Sequence, residues 1–321
     1  MNTNSTKMMF MNTMTIGIMM SICSNSWMMI WAGLEMSLMS FMPLMEKEKV
    51  LSTESSIKYF IIQSVSSSMM ILGLIMSMKK TSWLLISYSM LIKMGTSPFH
   101  MWMISVSEGL TYMNLFILLT ITKIPPMTIM SYDLTENPIM SMMSLIMGSM
   151  MGLNQTSTRK ILTYSSIFNM GFMLMMTKST SNWMTFLLIY STMLAMTMKM
   201  MNMMSISYMN QMSINNQKIT SKMNMWIMMM SMSGLPPSMG FMNKLMIIEL
   251  MMQKNQLMMS TTMIMTSLVV SFYYTRMMFS SLLFQSTTTK WQTKMTNKML
   301  ISMSTMSMLI SPMIMTMKNM S

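Results

Sequence analysis

KMGTSPFHMWMISVSEGLTYMNLFILLTITKIPP, residues 93–126, sets a lysine in one apolar run, then a polar turn holding the chain's single histidine, then a second apolar run with another lysine. An ionisable residue at the centre of a membrane helix costs about 2.5–3.5 kcal/mol even on lenient insertion scales, so it usually marks a route for ions or protons. The stretch therefore reads as part of a membrane protein in which Lys93 and Lys123 do chemical work.

Composition carries the same reading to the whole chain. Of 321 residues, 52% are hydrophobic and 9% charged, with a mean hydropathy of +0.46. Spans of about 20 residues cross a hydrocarbon core of about 30 Å. Apolar runs broken by polar residues predict roughly eleven helices, at about 8–24, 26–45, 55–78, 82–97, 110–131, 138–153, 156–177, 181–206, 223–253, 257–285 and 297–317. The expected fold is an all-α polytopic membrane protein forming a single transmembrane domain. The N-terminal run lacks a small-residue cleavage pattern and reads as the first span rather than a removable targeting peptide.

Methionine accounts for 70 residues, while Ala32 and Ala195 are the chain's alanines. Scarce Ala, Gly, Pro and Arg, all encoded by GC-rich codons, point to an AT-rich animal organelle genome in which ATA is read as Met. A copper(I) site of soft thioethers is the competing explanation, but the methionines scatter over all helix faces and stand in for Leu and Ile. The single Cys23 excludes a disulfide within the chain and a cysteine-ligated iron–sulfur cluster, and it reads as a buried apolar side chain. No Gly-rich dinucleotide or phosphate loop is present, so redox or nucleotide chemistry must reside on partner chains.

A net charge of +13 does not indicate nucleic acid, because the basic residues fall singly between apolar runs instead of massing on one face. They read as topology signals. Lys and Arg divide about eleven to five between alternate sides, which places the N-terminus inside and, with an odd number of spans, the C-terminus outside. Lys199 and Arg276, near helix ends, can snorkel either way.

Four ionisable residues lie deep within the runs. Glu35, Lys93 and Lys123 fall eight to eleven residues after Trp27, Trp83 and Tyr112, or roughly 12–17 Å from an interfacial aromatic at 1.5 Å per residue. Lys244 follows GLPPSMG, whose prolines and glycines split the ninth segment. Gly95 and Pro98 punctuate the fourth segment in the same way. If about 8–131 and 138–285 are two five-helix repeats followed by a C-terminal helix, the broken segments occupy matching places, as in inverted-repeat transporters.

Burial disfavours a charged lysine and a nearby carboxylate favours it again, so a Glu35–Lys93 pair can be switched by movement. A line from Lys93 through Lys123 to Lys244, bridged by water and hydroxyls, would carry protons without a metal or organic cofactor. One Glu–Lys pair can equally be a static packing device, but three lysines facing one carboxylate leave a surplus that packing alone does not explain. His100 reads as a loop residue near the inner surface rather than a relay group. Glu108 is either a cap for the helix starting near 110 or a proton-entry carboxylate. Glu249 is either interfacial or a second-half counterpart of Glu35, and Glu46, Glu48, Glu54, Asp133 and Glu136 read as solvated loop charges.

WAGLEMSLMSFMPLM, STESSIKYF, KMGTSPFHMW, EGLTYMNLFILLTITKIPP, GLNQTSTRKILTYSSI and SGLPPSMGF, in that order, resemble the antiporter-like membrane subunits of mitochondrial respiratory complex I, in their insect-like form. The resemblance extends to about residue 253, and the tail is similar in hydropathy only. It implies an eleven-helix member without the three leading helices of bacterial relatives, multi-pass in the mitochondrial inner membrane, with the N-terminus in the matrix and the C-terminus in the intermembrane space. Its expected partners are the other membrane-arm subunits and lipids. NADH, FMN, iron–sulfur clusters and ubiquinone would belong to other chains, with no cofactor here. The proton-path residues of that family fall on Glu35, Lys93, Lys123 and Lys244. Two departures stand out: Asn169 replaces a frequent histidine, so a relay there needs water or a hydroxyl such as Ser165 or Ser166, and Asn243 replaces the usual proline before Lys244. A stand-alone cation/proton antiporter and a purely structural membrane subunit are the alternative functions.

Overall fold

A computed structural model describes residues 4–46, 50–76, 82–132, 138–214, 219–236 and 238–283. The expected C-terminal helix at 297–317 lies outside the described residues, as do Glu48, Asp133, Glu136 and many of the topology lysines, including Lys47, Lys49, Lys79, Lys80 and Lys218.

The described residues are helical apart from an isolated bridge between Ser157 and Tyr208. In chain order the helices are α1 (Asn4–Cys23), α2 (Trp27–Met45), α3 (Val50–Ile75), α4 (Ser82–Met94), α5 (Met101–Gly109), α6 (Tyr112–Leu119), a 3-10 turn (Ile121–Lys123) and α7 (Ile124–Tyr132). They continue as α8 (Pro138–Gly152), α9 (Thr158–Met175), α10 (Thr180–Met203), α11 (Met209–Ile214), α12 (Ile219–Ser233), α13 (Met239–Gln253) and α14 (Leu257–Leu283). Spans α2, α3, α6–α7, α10 and α14 are each long and apolar enough to cross a membrane.

Three expectations required correction. The stretch after Lys93 is not one polar turn, because Met101–Gly109 forms a helix of its own. The 110–131 span is interrupted: Thr120 leaves helical geometry at φ −125°, ψ −69°, and a 3-10 turn carries the chain to α7. The cause lies in IPP, since Pro125 and Pro126 have no N–H to give to the carbonyls four residues earlier. Cys23 is exposed rather than buried.

The chain divides into two compact units, Met1–Ser144 with Asn169–Thr180, and Leu145–Phe168 with Ser181–Ser321. In the first unit, α1 and α2 approach so closely that a Cβ on Gly33 would sit 2.7 Å from both the Gly17 carbonyl oxygen and the Ser21 nitrogen. Such small-residue seams bring membrane helices together where no hydrophobic force between helices exists. Helix α3 has inside-out polarity: Ser52, Ser55, Ser56, Tyr59, Gln63, Ser66 and Ser67 are buried, whereas Ile57, Ile61, Val65 and Leu72 are exposed. An apolar outer face with a polar inner one suits lipid outside and a polar interior.

In the second unit, the GLNQTST turn is knotted to the α10–α11 turn. The Thr158 backbone N–H and hydroxyl both donate to the Ser207 carbonyl at 3.0 Å, and the Met209 N–H donates to the Thr156 carbonyl at 3.0 Å. Gln211 Oε1 accepts from the Ser207 and Tyr208 amides and so satisfies the free N–H groups that open α11. Arg276 of α14 reaches the same turn, with Nη2 donating to the Gln155 carbonyl at 3.2 Å. It thereby ties α14 to that turn.

A Gly33→Leu substitution is expected to force α1 and α2 apart and destabilise the chain by about 1–3 kcal/mol, as overpacking does. Met36→Leu, on the exposed face of α2, leaves stability unchanged. Thermal unfolding in membranes, followed by protease resistance, separates the two.

Candidate functional site

Helices α2 and α4 begin side by side, because the rings of Trp27 and Trp83 meet edge to face at 5.8 Å. Glu35 lies eight residues beyond one ring and Lys93 ten beyond the other, so they reach similar depths of about 12 and 15 Å. They are within electrostatic range of each other. Glu35 also acts on Tyr59 of α3, whose ring packs on Phe41 at 5.4 Å and on Trp102 at 6.0 Å. Glu35 Oε1 is buried and accepts no hydrogen bond from the described residues. The carboxylate is thus near enough to Lys93 to act on its charge.

Lys93 occupies the last turn of α4, where the helix ends in a Schellman cap. The Gly95 N–H donates to the Ile92 carbonyl at 3.1 Å and the Thr96 N–H to the Leu91 carbonyl at 3.2 Å. Gly95 takes φ +67°, a left-handed conformation that suits glycine. The carbonyls uncovered by the break find partners in side chains. Trp102 Nε1 donates to the Ile92 carbonyl at 3.1 Å, Gln63 Nε2 to the Lys93 carbonyl at 3.4 Å, and Thr96 Oγ1 to the Leu91 carbonyl at 3.2 Å. Gln63 and Trp102 were missed in the sequence. The available signal for Gln63 was the polar stripe of α3, but for Trp102 the sequence carries none.

His100 sits at the start of α5, buried at 3% exposure, with Nδ1 3.2 Å from the Pro98 carbonyl oxygen and Nε2 buried without a hydrogen-bond partner. It lies in a turn, with its side chain buried. Glu108 lies exposed in the last turn of α5, and the residue at the α6 N-cap is Thr111.

Lys123 closes the 3-10 turn and is 2% exposed, and its Nζ is buried with no hydrogen-bond partner among the described residues. Neighbouring hydroxyls turn back onto their own helix: Thr120 Oγ1 donates to the Phe116 carbonyl at 2.7 Å and Thr122 Oγ1 to the Leu118 carbonyl at 2.8 Å. A buried charge is ordinarily paired, and among the described residues Lys123 has no such partner.

The second unit repeats the α4 device. Helix α12 ends in the same double cap, with the Gly234 N–H on the Ser231 carbonyl at 3.3 Å and the Leu235 N–H on the Met230 carbonyl at 3.4 Å. Gly234 adopts φ +70°. Lys244 of α13 folds over this glycine and donates from Nζ to the Ser233 carbonyl at 2.6 Å. A Cβ on Gly234 would lie 2.8 Å from that Nζ. An ammonium against the carbonyl end of a helix is well placed for the helix dipole. The break needs glycine again at Gly240, where a Cβ would fall on the Ser231 carbonyl oxygen. Asn243, in the place of the family's usual proline, is buried and donates from Nδ2 to the Phe186 carbonyl of α10 at 3.4 Å. Glu249 is exposed on α13.

Asn169 is half-buried in α9, and the nearby Ser165 and Ser166 hydroxyls donate to their own helix, to the Leu162 and Thr163 carbonyls. Among the described residues, no three His, Cys, Asp or Glu side chains gather as metal ligands would.

Residues 24–87 and 77–270 match the family described as NADH:quinone oxidoreductase/Mrp antiporter, transmembrane. The NADH-ubiquinone oxidoreductase chain 2 of Locusta migratoria is 38% identical over 264 residues, covering 78% of this chain and 77% of the relative. The protein of that name from Anopheles gambiae is 37% identical, with 77% of each covered. A chain of respiratory complex I from Thermus thermophilus shares the fold at TM-score 0.83 and 14% identity, over 95% of this chain and 78% of its own.

A Gly234→Ala substitution is expected to strain the left-handed turn by about 1–2 kcal/mol and to push Lys244 Nζ off the Ser233 carbonyl. Trp102→Phe leaves the indole's bond to Ile92 unmade, at about 0.5–1.5 kcal/mol. Thermal inactivation of membrane preparations measures both losses, and a larger effect for Trp102→Phe would contradict the assignment of strain to Gly234.

Proposed function

This chain belongs to the NADH:quinone oxidoreductase/Mrp antiporter membrane family, and we propose that it is a proton-conducting subunit of the membrane arm of an NADH:ubiquinone oxidoreductase. In this reading it lies in the mitochondrial inner membrane with its N-terminus in the matrix and its C-terminus in the intermembrane space. It comprises eleven spans, two five-helix repeats at about 8–131 and 138–285 followed by a helix at about 297–317. NADH, FMN, iron–sulfur clusters and ubiquinone act on partner chains, whose reaction drives proton movement here.

The observation that carries the proposal is the Lys123 amine, buried without a hydrogen-bond partner among the described residues. Lone buried charge is costly in a static structure, and it is what a site that loads and unloads a proton requires. Glu35 and Lys93 supply a switch beside it in the same unit: approach of the carboxylate favours the ammonium and withdrawal releases its proton. Lys244 supplies a proton-holding group in the second unit, against a carbonyl that can also bind water. Each of the two terminal lysines stands at a helix break, where exposed backbone dipoles tolerate water. His100, with a free ring nitrogen, and the exposed Glu108 and Glu249 are the secondary candidates for proton entry and exit. A stand-alone cation/proton antiporter is less supported, since a hard cation gathers several oxygen ligands and Glu35 faces a lysine and a tyrosine.

Lys123→Met in the assembled complex tests this. The expected outcome is loss of NADH-driven proton pumping with assembly and stability kept or raised, because methionine removes an unpaired charge rather than half of a pair. Unchanged pumping, measured as protons moved per NADH oxidised, would overturn the proposal. Destabilisation by about 3–5 kcal/mol would indicate a structural ion pair instead.

A further inference from the structure

The second unit buries a group of hydroxyls that the lysine path does not use. Tyr190 of α10 and Tyr273 and Tyr274 of α14 are among its most deeply buried side chains, each at 1% exposure or less. The Tyr273 and Tyr274 rings lie 4.8 Å apart, and Tyr273 is within electrostatic range of Tyr190 as well. Tyr274 faces Ser165 of α9. Gly152, at the end of α8, makes the space for this cluster, since a Cβ there would lie 3.0 Å from the Tyr273 ring.

The group reaches toward the residue that precedes Lys244. Asn243, the residue before it, holds the Phe186 carbonyl, and Tyr190 lies four residues along α10 from Phe186, on the same face. Trp183, one turn on the other side, is also buried on that face. Along this line the Tyr273 hydroxyl, the Asn243 Oδ1 and the Trp183 Nε1 are buried without a hydrogen-bond partner among the described residues, and the Tyr274 hydroxyl meets Ser165. Leaving one such group unsatisfied costs about 1–3 kcal/mol, and three in one unit are too many for a packed apolar core. Buried polar groups that the protein does not satisfy are met by ordered water, which needs two to four polar partners. Phenols, an amide oxygen and an indole N–H are groups of that kind.

We propose that Asn243, Tyr190, Tyr273, Tyr274 and Ser165 line a hydrated relay that carries protons between Lys244 and α9 inside the second unit. The relay rests on the proton-conducting reading of Lys244. Each hydroxyl accepts a proton on its oxygen from a water on one side and passes its own proton to a water on the other. O–H bonds alone break and form, every tyrosine ends neutral as it began, and rotation of the hydroxyls and waters resets the line. It also supplies a route through hydroxyls in a chain whose α9 carries Asn169, which cannot hold a proton. The hydroxyls doing this work are tyrosines, not the Ser165 and Ser166 pair acting alone.

The test uses the assembled complex in membranes. Tyr273→Phe and Tyr274→Phe keep ring volume and remove only the hydroxyl, and the double variant is expected to lower pumping about tenfold, below the ~100-fold of a fully positioned proton-transfer group because water partly replaces a hydroxyl. Tyr208→Phe, an exposed tyrosine outside the cluster, is expected to pump normally. If the double variant pumps at the wild-type rate while Lys244→Met does not, the relay is overturned and the conduction reading stands. Normal pumping by Lys244→Met overturns both. Should the double variant assemble poorly, a density map of the native complex decides: water bridging the three phenols supports the relay, and a dry cluster overturns it.

Discussion

Within hydrocarbon, a peptide group that leaves the helical hydrogen-bond ladder has no solvent to turn to, and each unsatisfied group costs several kcal/mol. This chain breaks the ladder after Met94, around Thr120 and after Ser233, and its buried lysines stand at those three places. The structure depends on how the freed carbonyls are satisfied. After Met94 the acceptors are served by Trp102, Gln63 and Thr96. After Ser233 the donor is Lys244 itself. The same repair that lets a break exist in the membrane thus brings an ionisable group to it.

The glycines at the two caps show how tightly this is built. Gly95 and Gly234 both take left-handed φ and both close a Schellman turn. Gly234 has the further duty of leaving room for the Lys244 ammonium. The difference between the two breaks lies in where the lysine comes from: Lys93 belongs to the helix that ends, and Lys244 to the helix that begins after the break. Lys93 therefore relates to Glu35 on a neighbouring helix, whereas Lys244 is held by backbone. Local geometry alone makes the first a charge pair open to modulation and the second a group anchored on a helix end.

Polarity is arranged to match. Helix α3 presents serines, Gln63 and Tyr59 inward and isoleucines outward, so the interior around Glu35 and Lys93 is the wet side of the helix in chemical terms. In the second unit the buried polar groups are largely aromatic, with the Tyr190, Tyr273 and Tyr274 phenols and the Trp183 indole. Methionine fills the remaining space in both. Its unbranched, flexible side chain takes irregular gaps that branched residues would not, which suits a core interrupted three times by non-helical backbone.

Sequence by itself determined that this chain is a helical membrane protein and which four ionisable residues lie deep in it, because hydrophobic run length and the energetic penalty for intramembrane charge are properties of composition and spacing. Glu35, Lys93, Lys123 and Lys244 were legible for that reason, and so was the GLPP break, since missing N–H groups are written in the residues themselves. The α5 helix, the interruption at Thr120, the burial of His100 and the exposure of Cys23 were not, because each depends on which neighbour fills the adjacent space. Tertiary structure alone decided that Glu35 comes within electrostatic range of Lys93, that the Lys123 Nζ has no hydrogen-bond partner among the described residues, and that Lys244 bonds to Ser233. It also brought Tyr190 together with the adjacent Tyr273 and Tyr274, more than eighty residues further along the chain, in one buried cluster, a proximity set by helix packing that spacing along a single helix does not encode.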